Sequence, residues 1–183
     1  MKAECKHLGA LLQMIVVPEW KWEVIYMDFI IGFFNTVGQH DSIMVIVDMF
    51  TKFTHFILVK STFSTSDVGK VFIKDVVKFP SVMNNIVSDM DAKFTSKFLK
   101  ELFGGFGTRL VLNTTYHPQT AGQTKRVNRI LENMLRMYVM NQQWKGEEYL
   151  PLVEFTYNNY YQDSLRMSPF EALYGRSCNT PFN

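Results

Sequence analysis

The first apolar concentration is Trp20 to Phe34 (WKWEVIYMDFIIGFF), β-branched and aromatic, stopping at the turn-like Asn35-Thr-Val-Gly-Gln-His-Asp41. It predicts a strand buried on both faces, then a loop. Ser42 to Val47 (SIMVIV) is a short continuous apolar run, as in a covered strand. The chain turns over Asp48 to Lys52, and Thr54 to Val59 (THFILV) predicts a third strand. Three strands with short connections imply an antiparallel meander.

The period then changes. Ser64-Thr-Ser-Asp67 has the form of a capping box, in which hydroxyl and carboxylate satisfy orphan amides. Val68, Val71, Phe72, Val76 and Phe79 follow at helical spacing, with Pro80 as the stop. Asn85 to Asp89 reads as a short strand ending in an acid, Thr95 to Phe103 as a helix closed by Gly104-Gly105, and Arg109 to Leu112 as a strand. From Gln123 to Asn141 the apolar stripe Val127, Ile130, Leu131, Met134, Leu135, Tyr138 marks a long helix, with Lys125, Arg129, Glu132 and Arg136 on another face. Glu147 to Tyr161 is amphipathic too, and Ser168-Pro-Phe-Glu171 opens a final short helix that Gly175 stops. This order predicts an α/β fold, a sheet of mixed direction flanked by helices.

With 183 residues, 47% apolar and 20% charged, one globular domain is expected. No apolar run reaches the roughly 18 residues of a membrane span, so no membrane partner is expected. Cys5 and Cys178 and the four scattered histidines suggest neither a disulfide framework nor a zinc site. The net charge of +2 conceals an asymmetry. Lys93 to Arg136 holds eight basic residues against Glu101 and Glu132, leaving −4 for the rest. Such a segment suits a polyanion, although a solvated helix face accounts for the charge equally well.

Two acids stand out. Asp28 lies inside the core strand, where an ionised carboxylate needs a partner or a metal. Asp89 ends a strand, and strand ends of open α/β sheets face the ligand crevice. An ordinary buried hydrogen bond for Asp28 and a turn aspartate for Asp89 are the competing readings. Carboxylates holding Mg²⁺ or Mn²⁺ can organise an in-line displacement at phosphorus. His117 reads as a loop-packing residue rather than a base, and Met134, Met137 and Met140 as core filling.

From Trp20 onward the chain resembles the integrase catalytic core of gypsy-type long-terminal-repeat retrotransposons, relatives of retroviral integrases within the ribonuclease H-like superfamily. The matching stretches are Met27-Asp-Phe-Ile30, Val45-Ile-Val-Asp48 with Thr51-Lys52, Ile86-Val-Ser-Asp89 with Asp91, His117-Pro-Gln-Thr120 with Gly122-Gln123, Leu150-Pro-Leu-Val-Glu-Phe155, and Ser168-Pro-Phe-Glu-Ala-Leu-Tyr-Gly-Arg176. The resemblance implies a ribonuclease H-like sheet of five strands, three antiparallel and two parallel. It implies a core over residues 20–176, after a lead-in (1–19) that follows a zinc-binding module, with a tail at 177–183. It also implies metal-dependent processing and joining of DNA ends in the nucleus or a pre-integration particle, by a homo-oligomer acting on element and host DNA.

The family's acidic triad maps onto Asp28, Asp89 and, after 35 intervening residues, position 125. There Lys125 stands where a glutamate is expected. An ammonium about 4 Å from a divalent ion, at an effective dielectric of 20, opposes it by roughly 8 kcal/mol before relaxation. Glu132 is about 10 Å further along the helix, too far to substitute. The expectation is weakened or single-site metal binding at Asp28 and Asp89, with impaired catalysis. DNA contacts are expected from Tyr116, His117, Gln119, Lys125, Arg126, Arg129 and Arg136. The alternatives are a non-catalytic module that binds nucleic acid or dimerises, and a cellular nuclease drawing a further acid from Asp48 or Glu154.

Overall fold

The computed structural model describes residues 18–32, 38–77, 83–89, 97–113 and 146–178. Within 126–137 it describes residues 126, 129, 130, 132–134, 136 and 137. At 89, 97–99, 101, 112, 113 and 146 the description is of the backbone. The elements are β1 (Val24–Ile31), β2 (Ser42–Asp48), β3 (Thr54–Val59), α1 (Thr65–Asp75), β4 (Asn85–Asp89), α2 (Lys97–Gly105), β5 (Arg109–Asn113), α3 (Gly146–Asn159) and α4 (Pro169–Tyr174). The described residues of 126–137 are helical as well.

One sheet runs β3-β2-β1-β4-β5. The β1–β2 and β2–β3 pairs are antiparallel, whereas β1–β4 and β4–β5 are parallel. This is the mixed sheet expected from the sequence. The apolar run of β2 is buried along its whole length, because helices cover both faces.

Alternation along the strands sorts side chains into two layers. Ile25, Met27, Met44, Ile46, Ile57 and Ile86 pack with Val68 and Phe72 of α1 and Phe103 of α2, and the Phe72 and Phe103 rings meet edge to face at 4.9 Å. On the opposite face Tyr26, Ile30, Val45, Phe56 and Val87 pack with Leu150, Val153 and Tyr157 of α3, joined by Ile130 and Met134.

Element ends depart from expectation where local geometry intervenes. The apolar run from Trp20 does not become strand until Val24, because Trp22 takes a left-handed conformation (φ 61°) and the Glu23 carboxylate accepts from the amides of Glu19 and Trp20 at 2.8 and 3.0 Å. At its other end Gly32 (φ 73°) breaks the strand. Helix α1 closes at Val76, since the amides of Val76 and Val77 both donate to the Phe72 carbonyl, at 2.9 and 3.2 Å. Phe79 and Pro80, read as its last turn and stop, lie outside the described residues. Both capping boxes form, at Ser64/Asp67 and Ser168/Glu171.

Side chains of α3 close the outer edge of β3. Asn158 imitates a neighbouring strand, accepting from the Thr54 amide at 2.8 Å and donating to its carbonyl at 2.7 Å. Glu154 accepts from the Phe56 amide at 2.8 Å and meets His55 Nδ1 at 2.9 Å, and Glu147 meets His40 Nδ1 at 2.8 Å. Helix α3 is thereby pinned along the strand edge and the loop beyond it.

Candidate active site

Asp28 shares the parity of Tyr26 and Ile30, so it belongs to the sheet face covered by α3, Ile130 and Met134. It is half-buried, and its Oδ1 accepts from the Phe29 amide at 2.8 Å. The parallel ladder of β1 and β4 runs from Val24↔Asn85 to Met27↔Ser88. Continued by one residue, that register sets positions 28 and 89 level on neighbouring strands, about 4.8 Å apart in the pairing direction. Position 89 shares its parity with Val87, which is packed on the same face. The two acidic positions therefore occupy one face, at one height, where β1 and β4 near their C-terminal ends.

Oxygen donors from two adjacent strands suit Mg²⁺, which takes one or two protein carboxylates and keeps water for the remaining positions. Aspartates at positions 28 and 89 are the residue type that would hold the cation the resemblance implies. Among the described residues no group of three or more His, Cys, Asp or Glu side chains is placed to hold a metal ion.

Of the basic positions, Arg126, Arg129 and Arg136 are exposed, while Ile130 and Met134 of the same helical stretch pack on the Asp28 face. Arg126 lies close enough to Tyr157 for its charge to act on the buried phenol. Burial is the main influence there and pushes the Tyr157 hydroxyl above its usual range, against hydrogen bonds with Gln162 and Thr54 and the Arg126 charge. Tyr116, His117, Gln119 and Lys125 lie outside the described residues.

Asp48 and Glu154, the acids that a cellular nuclease would have to recruit, are engaged elsewhere. Asp48 shares the parity of Met44 and Ile46 and so belongs to the opposite face from Asp28. It has no solvent exposure and accepts from the amides of Trp22, Phe50 and Thr51 at 3.0, 3.2 and 3.1 Å and from Thr51 Oγ1 at 2.6 Å. Glu154 is committed to the β3 edge. One polar position escaped the sequence reading: Asn113 pairs with Asp89 across β4 and β5. Only strand register brings it there.

Against solved structures, the chain matches a chain in the simian T-cell lymphotropic virus intasome in complex with PP2A regulatory subunit B56 gamma, with a TM-score of 0.69 and 15% identity over 88% of this chain and 56% of that one. It matches the catalytic core domain of BIV integrase with a TM-score of 0.64 and 18% identity, over 81% of this chain and 91% of that one. The fold is that of a retroviral integrase core. In sequence the chain is 28% identical over 163 residues to the Tf2-3 and Tf2-4 transposon polyproteins of Schizosaccharomyces pombe, covering 89% of this chain and 12% of those proteins. It therefore spans about an eighth of the length of these curated relatives. No protein-family model matches it. Among the described residues no helix is long and apolar enough to cross a membrane.

Proposed function

We propose that the chain is the catalytic core of a retrotransposon integrase of the gypsy type, a metal-dependent polynucleotidyl transferase whose activity Lys125 impairs. The observation that carries this reading is the level placement of Asp28 and Asp89 on adjacent parallel strands of an integrase-like sheet. When bound there, a divalent cation supplies Lewis acidity for activating a nucleophile and relieving charge on a phosphodiester. The chain's own part is to hold the two carboxylates at one height, to keep the surrounding face apolar through Tyr26, Val45 and Val87, and to grip phosphates. For that grip we assign Tyr116, His117, Gln119, Lys125, Arg126, Arg129 and Arg136, and we place the reaction on DNA in the nucleus.

Self-association belongs to the same reading. Helix α3 presents Pro151, Leu152 and Phe155 outward, and Leu152 and Phe155 are about 40% exposed (41% and 39%). A contiguous apolar strip of this kind favours contact between copies. The non-catalytic alternative, a module that binds DNA or dimerises, shares these surfaces and differs in lacking chemistry.

A joining assay with element-end DNA separates the two. With Mg²⁺ or Mn²⁺ the natural sequence should join ends weakly or not at all, and Lys125→Glu should raise joining by at least tenfold. Robust joining by the natural sequence would refute impairment by Lys125. DNA binding without joining in either protein would favour the non-catalytic module.

A further inference from the structure

We infer that the outer border of β3 carries a docking groove for an arginine of a protein partner, its guanidinium held by main-chain carbonyls of β3 and the carboxylates around them. The groove is separate from the acidic positions of β1 and β4 and does not depend on how those are read.

The capping of β3 by α3 stops short of the strand's end. Thr54 and Phe56 turn their amides outward to Asn158 and Glu154. Alternation in an antiparallel pair then turns the main-chain groups of Leu58 outward too, and the carbonyls of Phe56 and Leu58 lie along the same border. Among the described residues no side chain bonds Leu58 in the way that Asn158 bonds Thr54. A groove of about 360 Å³ opens there instead, floored by Phe56, Leu58, Leu150 and Pro151. Its polar rim is His55, Asp75, Glu147 and Glu154. Asp75 comes from the end of α1, and the two glutamates come from α3, so the rim is assembled from the helical layers on both faces of the sheet.

Charge decides what the groove takes. Three carboxylates line it with one histidine, and no Lys or Arg is among the described residues around it. Phosphate backbones are repelled by such a rim. A bare metal ion is not served either, since among the described residues no three acids, histidines or cysteines are placed to hold one. A cationic side chain fits both conditions. The volume falls in the roughly 300–1,000 Å³ range of sites that take small groups. An apolar floor favours the planar, weakly hydrated guanidinium over the compact, strongly hydrated ammonium, and five N–H donors in a fork can serve carbonyls and carboxylates together. Glu154 accepts at both oxygens, from His55 and the Phe56 amide, and each oxygen keeps a second lone pair. Seating α3 on His40 and His55 explains the two glutamates, whereas Asp75 adds its charge to the groove from the other layer.

Fluorescence anisotropy of a labelled tetra-arginine peptide with the full chain tests this. Asp75→Lys should weaken binding about tenfold by placing a like charge at the rim, and the end of a helix accepts a lysine because a cation suits the dipole there. Asp75→Asn should weaken it about threefold. Asp163→Lys makes the same charge change at an exposed acid between the bridged Gln162 and Met167 and should leave binding as it is. Tetra-lysine should bind about threefold more weakly than tetra-arginine. Circular dichroism establishes that each variant is folded. Equal losses from Asp75→Lys and Asp163→Lys would show that net charge alone is sensed, and absence of binding, or equal binding by every protein, would leave the groove without this role; each overturns the proposal. Sedimentation velocity covers the remaining occupant: self-association abolished by Asp75→Lys would put a second copy in the groove and overturn the partner assigned here.

Discussion

Asp48→Ala should destabilise the fold by about 4 kcal/mol. The Asp48 carboxylate is sealed from solvent and receives four donors, from Trp22, Phe50 and both the amide and hydroxyl of Thr51. Hydrogen bonds to a charged acceptor contribute roughly 1.5–3 kcal/mol each, against a desolvation cost of several kcal/mol for burying the charge. The same cluster sustains two residues in the left-handed region, Trp22 and Lys52, both at φ 61°, and the Lys52 amide donates to the Asp48 carbonyl at 2.9 Å. A bulky residue held there costs about 1–2 kcal/mol, so losing the carboxylate leaves that cost without its compensation. For a domain of this size the loss corresponds to a fall in Tm of about 12 °C. Asp48→Asn should be nearly as damaging, because its amide nitrogen faces donors. Urea denaturation monitored by tryptophan fluorescence gives the number. A loss below about 1 kcal/mol for Asp48→Ala would refute the reasoning and reopen Asp48 as a residue kept for chemistry.

Three further outcomes are expected. Asn158→Leu strips both partners from the Thr54 backbone and should cost about 2–4 kcal/mol in the same assay. Replacing Arg126, Arg129 and Arg136 together by alanine should make the salt dependence of DNA binding shallower by nearly one unit of log–log slope for each phosphate no longer neutralised, with the apolar core unaffected because all three are exposed. The Tyr157 hydroxyl is raised in the folded protein from its ordinary 10.0, chiefly by burial. Its contribution to stability is fully present below pH 10 and is lost as pH rises through the folded pKa, because the unfolded chain ionises first. Tyr157→Phe should therefore flatten the alkaline limb of the stability profile, as thermal melts between pH 9 and 11 would register.

Local signals were the legible ones. Thr54–Val59 and Asn85–Asp89 form strands with the bounds their composition suggests, and both capping boxes bond as written. Each depends on residues within a few positions of one another. The start of β1 was not legible, because the conformation of Trp22 depends on a carboxylate 26 residues away. Asp48 illustrates the same limit: like Asp89 it ends an apolar run, and only parity within the assembled sheet separates the two. Asp28 could be singled out as an acid in a core strand, yet its level partnership with Asp89, and the place of Asn113 beside them, arise from pairing between distant segments. Periodicity carries no trace of that pairing.

The grip of Asn158 and Glu154 on β3 also governs how copies of this chain can meet. A free strand border is a template for further strands and hence for uncontrolled growth. Here the border is already occupied at Thr54 and Phe56 by side chains, so an incoming strand would first have to evict a helix. Any contact between copies on that flank would therefore have to be made by helical surfaces rather than by strand addition.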